Sequence, residues 1–329
     1  MSLETLTDYL ASNGSIQKKT AIYYLKHMEF LYSEAETNFL TGIYQPILAT
    51  NYEKCIETIK KLTTSRQWNP GSVLNYYKSL VKICTVFRNY YGEINVSQFD
   101  KALEEYNKMY IPLNNEKDEI RKSNKKTEKQ SENWKEWSEI VKDRDAQYEI
   151  IKDYTSDNNK TYEYTEVLKY VFACIYTLVP PRRVLDYQFM RVVSDMDGCV
   201  ENDCNYYVQS KRLFVFNVYK MAKKQQTVKV PKKLCNILDW YIYNFHPYYK
   251  QKDVIDYGTH YLFLNHLGKQ THAATFSSCL YSVFKKKISI NMLRHIYITC
   301  NLGEHIEKAK EAADFMSHSS AIQMQYIVH

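Results

Sequence analysis

The chain has 329 residues, a formal net charge of +7 and 45% hydrophobic residues, which leaves room for two domains of ordinary size with cores of their own. No apolar run approaches the ~20 residues that cross a bilayer, and the opening MSLETLTDYLASNG lacks the basic and apolar regions of a secretory signal. A transmembrane helix is excluded, and the expectation is a protein of the cytoplasm or nucleus that is not secreted.

From Leu3 to about Pro112 the sequence predicts helices. Ser15 is placed to cap a segment running from Ile16 past Leu31, with Ile22, Leu25, Met28 or Phe30, and Leu31 at apolar helical spacing. Pro70-Gly71-Ser72 punctuates, and Ser72 is placed to cap a helix that buries Val73, Leu74, Tyr77, Leu80, Val81, Cys84 and Phe87. Residues 1–113 therefore read as a small helical domain, nearly neutral with 12 Lys and Arg against 11 Asp and Glu. Residues 114–130, NNEKDEIRKSNKKTEKQ, hold one strong hydrophobe, Ile120, and read as a charged linker. A second domain covers 131–329.

That domain opens with helical patterning from Trp134 to Ile151 and again from Tyr164 to Leu178, which stops at Pro180-Pro181. Arg182 and Arg183 follow, and Val184-Leu185-Asp186-Tyr187 restarts a helix. An arginine at such a start lies near unpaired backbone N–H groups, a place that suits anions, and Asp186 is spaced to brace Arg183. Tyr206–Val208, Arg212–Tyr219 and Thr227–Val230 have the alternation of strands, with the segment from Lys220 to Gln226 joining the last two. Leu234–Phe245 reads as a helix, His260–Asn265 as a short extended run and Thr271–Phe284 as a helix. The predicted class is mainly α with a small antiparallel β-sheet (α+β).

The eight cysteines are scattered, and the one close pair, Cys199 and Cys204, lacks a matching pair at structural-zinc spacing. Reduced thiols and no metal are expected. Charge is uneven: residues 205–300 hold 15 Lys and Arg against 3 Asp and Glu. Lys223, Lys224, Lys229, Lys232 and Lys233, and Lys285, Lys286 and Lys287, suit contact with the phosphates of duplex DNA, although a solvated basic face has the same composition.

Near the C-terminus, Met292, Leu293, Ile296 and Tyr297 repeat at helical spacing from Ile290 to Cys300, so Asn291, Arg294 and His295 share the polar side. After a polar run, Phe315 and Met316 are expected to anchor a second segment. Ser317–Ser320 reads as a turn, and a short helix from Ala321 carries Tyr326 about two turns past His318.

The stretches LRHIYIT and MSHSSAIQMQY resemble the two C-terminal motifs of the tyrosine recombinases, the phage-integrase family. Their wording is closest to the divergent branch carried by large DNA viruses and related mobile elements, which would place the protein in the cytoplasm or nucleus of a host cell. The resemblance implies a helical core-binding domain that clasps DNA over residues 1–113 and a recombinase catalytic domain over 131–329. It implies Tyr326 as the nucleophile that forms a 3′-phosphotyrosine link, with Arg183, Arg294 and His318 on the phosphate and Lys220 as the acid for the leaving 5′ oxygen. Lys223 and Lys224 are substitutes for Lys220, and Arg182 competes with Arg183, which the family's acidic residue three positions on favours through Asp186. No metal, ATP or other cofactor is required, and four copies would assemble on two DNA sites for integration or another exchange. The family commonly has histidine where this chain has Asn291, which can hydrogen-bond a phosphate but cannot take a proton near neutral pH. His295, the other auxiliary phosphate contact, points about 100° away from Arg294 on an ideal helix. Two further readings share these residues: DNA relaxation of the type IB topoisomerase kind, and a catalytically inactive DNA-binding descendant.

Overall fold

The computed structural model describes residues 2–35, 44–91, 93–154, 161–199, 201–220, 224–249 and 260–316. The chain divides into two compact units, Met1–Lys125 and Lys126–His329. Its class is mainly α with a small sheet, as expected.

The first unit is built from α1 (Leu3–Gly14), α2 (Lys18–Ala35), α3 (Tyr52–Ser65), α4 (Pro70–Phe87) and α5 (Glu93–Lys122). Leu6, Leu10, Leu25, Met28, Ile59, Leu80, Ile83, Phe87 and Phe99 form its buried core. The helix starts differ from the expected caps. Ser15 ends α1 in a left-handed conformation, φ 50°, rather than starting α2. Asn69 rather than Ser72 caps α4, its side chain accepting from Ser72 N at 3.0 Å, because Pro70 fills the first helical position, where no N–H is needed. The segment read as a linker is helical through Lys122, since α5 runs on past Pro112.

The second unit opens with α6 (Glu128–Asn133), closed by a capping box between Thr127 and Gln130, and α7 (Trp137–Ile151). Helix α8 (Thr161–Thr177) is its centre: Val171, Phe172, Ala173, Cys174, Ile175 and Tyr176 are all fully buried, so its second half is apolar and enclosed on every side. After α9 (Val184–Gln188) come four strands, β1 (Met190–Val193), β2 (Asn205–Val208), β3 (Leu213–Phe216) and β4 (Gln226–Lys229), in the order β1-β2-β3-β4. The pairs β2–β3 and β3–β4 are antiparallel, but β1, which the sequence reading did not identify, pairs parallel to β2, so the sheet is mixed. Val192, Tyr207, Phe214 and Phe216 face the main core, while Val193, Tyr206, Val208 and Val215 form a smaller cluster on the other face. Helices α10 (Lys232–Asn244), α11 (Ala273–Phe284) and α12 (Ile290–Phe315) complete the unit. All eight cysteines are free.

Helix α12 is one element where a helix followed by a polar run was expected. The run is rich in Glu, Lys and Ala, good helix formers, and polarity alone does not end a helix. Phe315 is not the expected anchor: it is 93% exposed, and Met316 is exposed too.

Candidate active site

Arg182 and Arg183 sit at the turn into α9, with Arg183 at the N-cap position in extended backbone, φ −74° and ψ 155°. The expected brace belongs to the other arginine. Arg182 Nε donates to Asp186 Oδ2 at 2.8 Å and Nη1 to Gln226 Oε1 at 3.0 Å, while its guanidinium lies 3.7 Å from the Phe216 ring centre and 5.7 Å from that of Tyr219. From just ahead of that short helix, Arg182 reaches the carboxylate and the hairpin together. Arg183, half-buried, makes no side-chain hydrogen bond or ion pair among the described residues, so its donors remain open.

Asp186 is buried, and burial pushes its carboxyl above the usual carboxylate range. The charges of Arg182, Arg183 and Arg294 pull the other way. That third influence brings α12 to the site: Arg294, far along the chain, lies within electrostatic reach of the same carboxylate as Arg183. Its helix is set by the buried Ile290, Met292, Leu293 and Ile296 and by Ser289, whose side chain accepts from Met292 N at 3.2 Å. Trp137 meets Tyr297 edge-on, ring centres 5.1 Å apart. Asn291 and His295 are exposed and Arg294 half-buried on this first part of α12.

Lys220 lies in a turn four residues past the end of β3, not at a strand end as expected. The loop that carries it is held by Asn205, a buried residue the sequence reading missed. Asn205 Nδ2 donates to Asp186 O at 2.8 Å and Val218 O at 2.9 Å, and its Oδ1 accepts from Asn217 N and Val218 N, each at 2.8 Å. Four satisfied hydrogen bonds fix one end of the Lys220 loop to α9. Nothing in the sequence marks this asparagine, because its partners are backbone groups of segments distant from it. Lys220 itself is exposed.

Among the predicted phosphate-contact lysines, Lys224, Lys229, Lys285 and Lys287 are exposed, with Lys285 ending α11 at φ 53°. Lys286 is committed elsewhere: its Nζ donates to Glu132 O at 3.1 Å and Trp134 O at 3.0 Å, closing the end of α6. Lys223, His318, the Ser317–Ser320 turn and Tyr326 lie outside the described residues. Arg183 and Arg294 thus both act on the charge of Asp186, and Asn205 ties the base of the Lys220 loop to the same short helix; cationic donors of this kind can hold an oxyanion.

No family model, no curated protein and no solved structure matches this chain.

Proposed function

We propose that the chain is a site-specific tyrosine recombinase that cuts and rejoins duplex DNA, working as four copies on two DNA sites. The observation that supports this most is that Arg183 and Arg294 both act on the charge of one buried carboxylate, with Arg183 left open among the described residues while Arg182 takes the ion pair. Two guanidiniums so disposed would share the non-bridging oxygens of one phosphate and stabilise the charge that builds there. Tyr326 Oη attacks phosphorus, the bond to the 5′ oxygen breaks, and Lys220 gives that oxygen its proton. The 3′-phosphotyrosine keeps the energy of the broken bond, so a 5′-hydroxyl from another strand reverses the step without ATP or metal. Asn291 serves as a phosphate donor, and His295, next to Arg294, is the imidazole on that turn for the tyrosine's proton.

The test is to incubate the chain with nicked duplexes tiled from its own genome, denature in SDS and map any DNA-linked peptide beside Tyr326→Phe. An adduct on Tyr326 that disappears in the variant supports recombination or relaxation, and exchange between two duplexes separates those. Tight binding with no adduct on any duplex overturns catalysis in favour of a DNA-binding descendant.

A further inference from the structure

In the first unit a cleft of about 370 Å³ opens between α2, the end of α3 and the start of α4, lined by Tyr23, His27, Phe30, Arg66, Trp68 and Tyr76 with Ser72 and Asn75 beside them. Its volume falls in the ~300–1,000 Å³ range of small-ligand clefts. The rings form a ladder. Trp68 and Tyr76 are stacked at 4.5 Å and 5°, His27 stacks on Tyr76 at 4.1 Å and 22°, and Tyr23 closes on His27 at 3.9 Å. The ladder is rigid at its centre, because His27 is buried and its Nδ1 is 2.8 Å from Ser79 Oγ. Burial also holds His27 neutral, its pKa lowered to about 4. At the outside, Tyr23 is 49% exposed and Trp68 is half-buried, so flat ring surface reaches solvent.

The rim is cationic. Arg66 lies over Phe30 at 5.2 Å and pairs with Glu34 at 2.7 Å; an exposed pair of this kind is weak, so a phosphate can compete for the guanidinium. Lys19 and Lys26 share the side of α2 that carries Tyr23, and Lys78 is three residues past Asn75 on α4. All three lysines are exposed and form no ion pair among the described residues.

We infer that this cleft binds an unpaired nucleobase, the base extending the ring ladder while the neighbouring phosphates meet Arg66, Lys19, Lys26 and Lys78. Flat neutral rings inside a positive rim match a nucleotide in both parts, since every base has a π-face and every link an anion. The same rim repels a methylammonium group, the other usual guest of aromatic cages. A base inside a duplex hides its faces in the stack, so the ligand is a single strand or a base turned out of the helix. This goes beyond the recombinase reading, requiring nucleic acid but no cleavage, and it is tested with unreactive oligonucleotides.

The experiment measures, by fluorescence anisotropy on the full chain, the affinity of a 20-nucleotide oligothymidylate, an abasic strand of equal length and charge, and the oligothymidylate paired to oligoadenylate. The expected result is oligothymidylate bound on the order of tenfold more tightly than the abasic strand, with tryptophan quenching, and that ratio falling towards one in Trp68→Ala and in Tyr23→Ala. Tyr23 is exposed enough that its variant folds even if Trp68→Ala does not. Equal affinity for the abasic strand overturns the inference, as does a ratio unchanged in Tyr23→Ala. Duplex binding as tight as single-strand binding, and equally sensitive to Tyr23→Ala, also overturns it. Loss of DNA cleavage in Tyr326→Phe leaves all these ratios unaffected, so the two readings fail separately.

Discussion

The two units bury polar groups of different kinds. Among the described residues, the buried polar side chains of the first unit are Thr7, His27, Thr58 and Ser79, none charged at neutral pH. Those of the second include Arg144, Glu166 and Asp186. Burying a charge is costly unless partners hold it in place, and the second unit supplies them: Arg144 with Asp145 at 2.7 Å and Thr177 at 3.2 Å, Glu166 with Lys169 at 2.6 Å, Asp186 with Arg182. The first unit instead surrounds its buried imidazole with flat rings. One unit is thus organised around fixed charges, as a site for phosphate chemistry would be, and the other around neutral π-surface, as a site for bases would be.

Acid titration probes this contrast most strongly, because the two buried groups respond in opposite directions. His27 has a folded pKa of about 4, below its ordinary 6.5, so its contribution is complete above pH 6.5. It is lost as pH falls towards 4, amounting to about 3 kcal/mol at most. Asp186 has a folded pKa above its ordinary 3.8, so its contribution is present below that value and is lost as pH rises through the folded pKa. Hydrogen exchange followed across this range should show α2 losing protection on acidification, with His27→Gln flattening the slope. Helix α9 should show an opposing component that Asp186→Asn removes. Slopes of the same sign in both helices would break the comparison.

Arginine substitutions sharpen it at a smaller scale. Arg182→Ala leaves a buried carboxylate without its partner and is expected to cost about 1–3 kcal/mol in urea denaturation. Arg183→Ala removes a side chain that makes no hydrogen bond or ion pair among the described residues and should stay within about 0.5 kcal/mol, while abolishing the Tyr326 adduct. If Arg183→Ala destabilises as much as Arg182→Ala, the division of labour between the two arginines is wrong.

That division was not legible in the sequence. Both arginines are spaced to reach Asp186, at three and four residues, and what decides between them is Phe216, Tyr219 and Gln226, which pack against Arg182 from a distant hairpin. The parallel strand β1 escaped for a related reason. Met190–Val193 is short, and it acquires its identity from β2 alongside it. Features governed by neighbours in the chain were readable: the buried face of α4, the three antiparallel strands, and Asn291, Arg294 and His295 on the polar side of α12's first turns. Local rules also misled where two candidates competed, as when Asn69 with Pro70 started α4 ahead of Ser72. That Arg183 and Arg294 act on one carboxylate is a tertiary feature, and spacing alone carries no trace of it.

The smallest expected effects lie in the basic run after α11, where charge and stability separate residue by residue. Lys286 closes the end of α6 through two carbonyls, so Lys286→Ala should cost about 1 kcal/mol of stability and leave the salt dependence of duplex binding nearly unchanged. Lys287 is exposed, and its backbone N, not its side chain, bonds to Asn133 Oδ1 at 3.1 Å. Lys287→Ala should therefore spare stability and lower the slope of log affinity against log salt by roughly 1, the loss of one phosphate contact. Lys285 holds a left-handed backbone, φ 53°, that glycine adopts without strain. Lys285→Gly should lower the salt slope like Lys287→Ala while raising stability by up to about 1 kcal/mol, the relief of left-handed strain outweighing the freedom glycine adds to the unfolded chain. Three equal changes in slope would mean that Lys286 leaves α6 to reach DNA, and that the second unit's charges are less fixed than their hydrogen bonds imply.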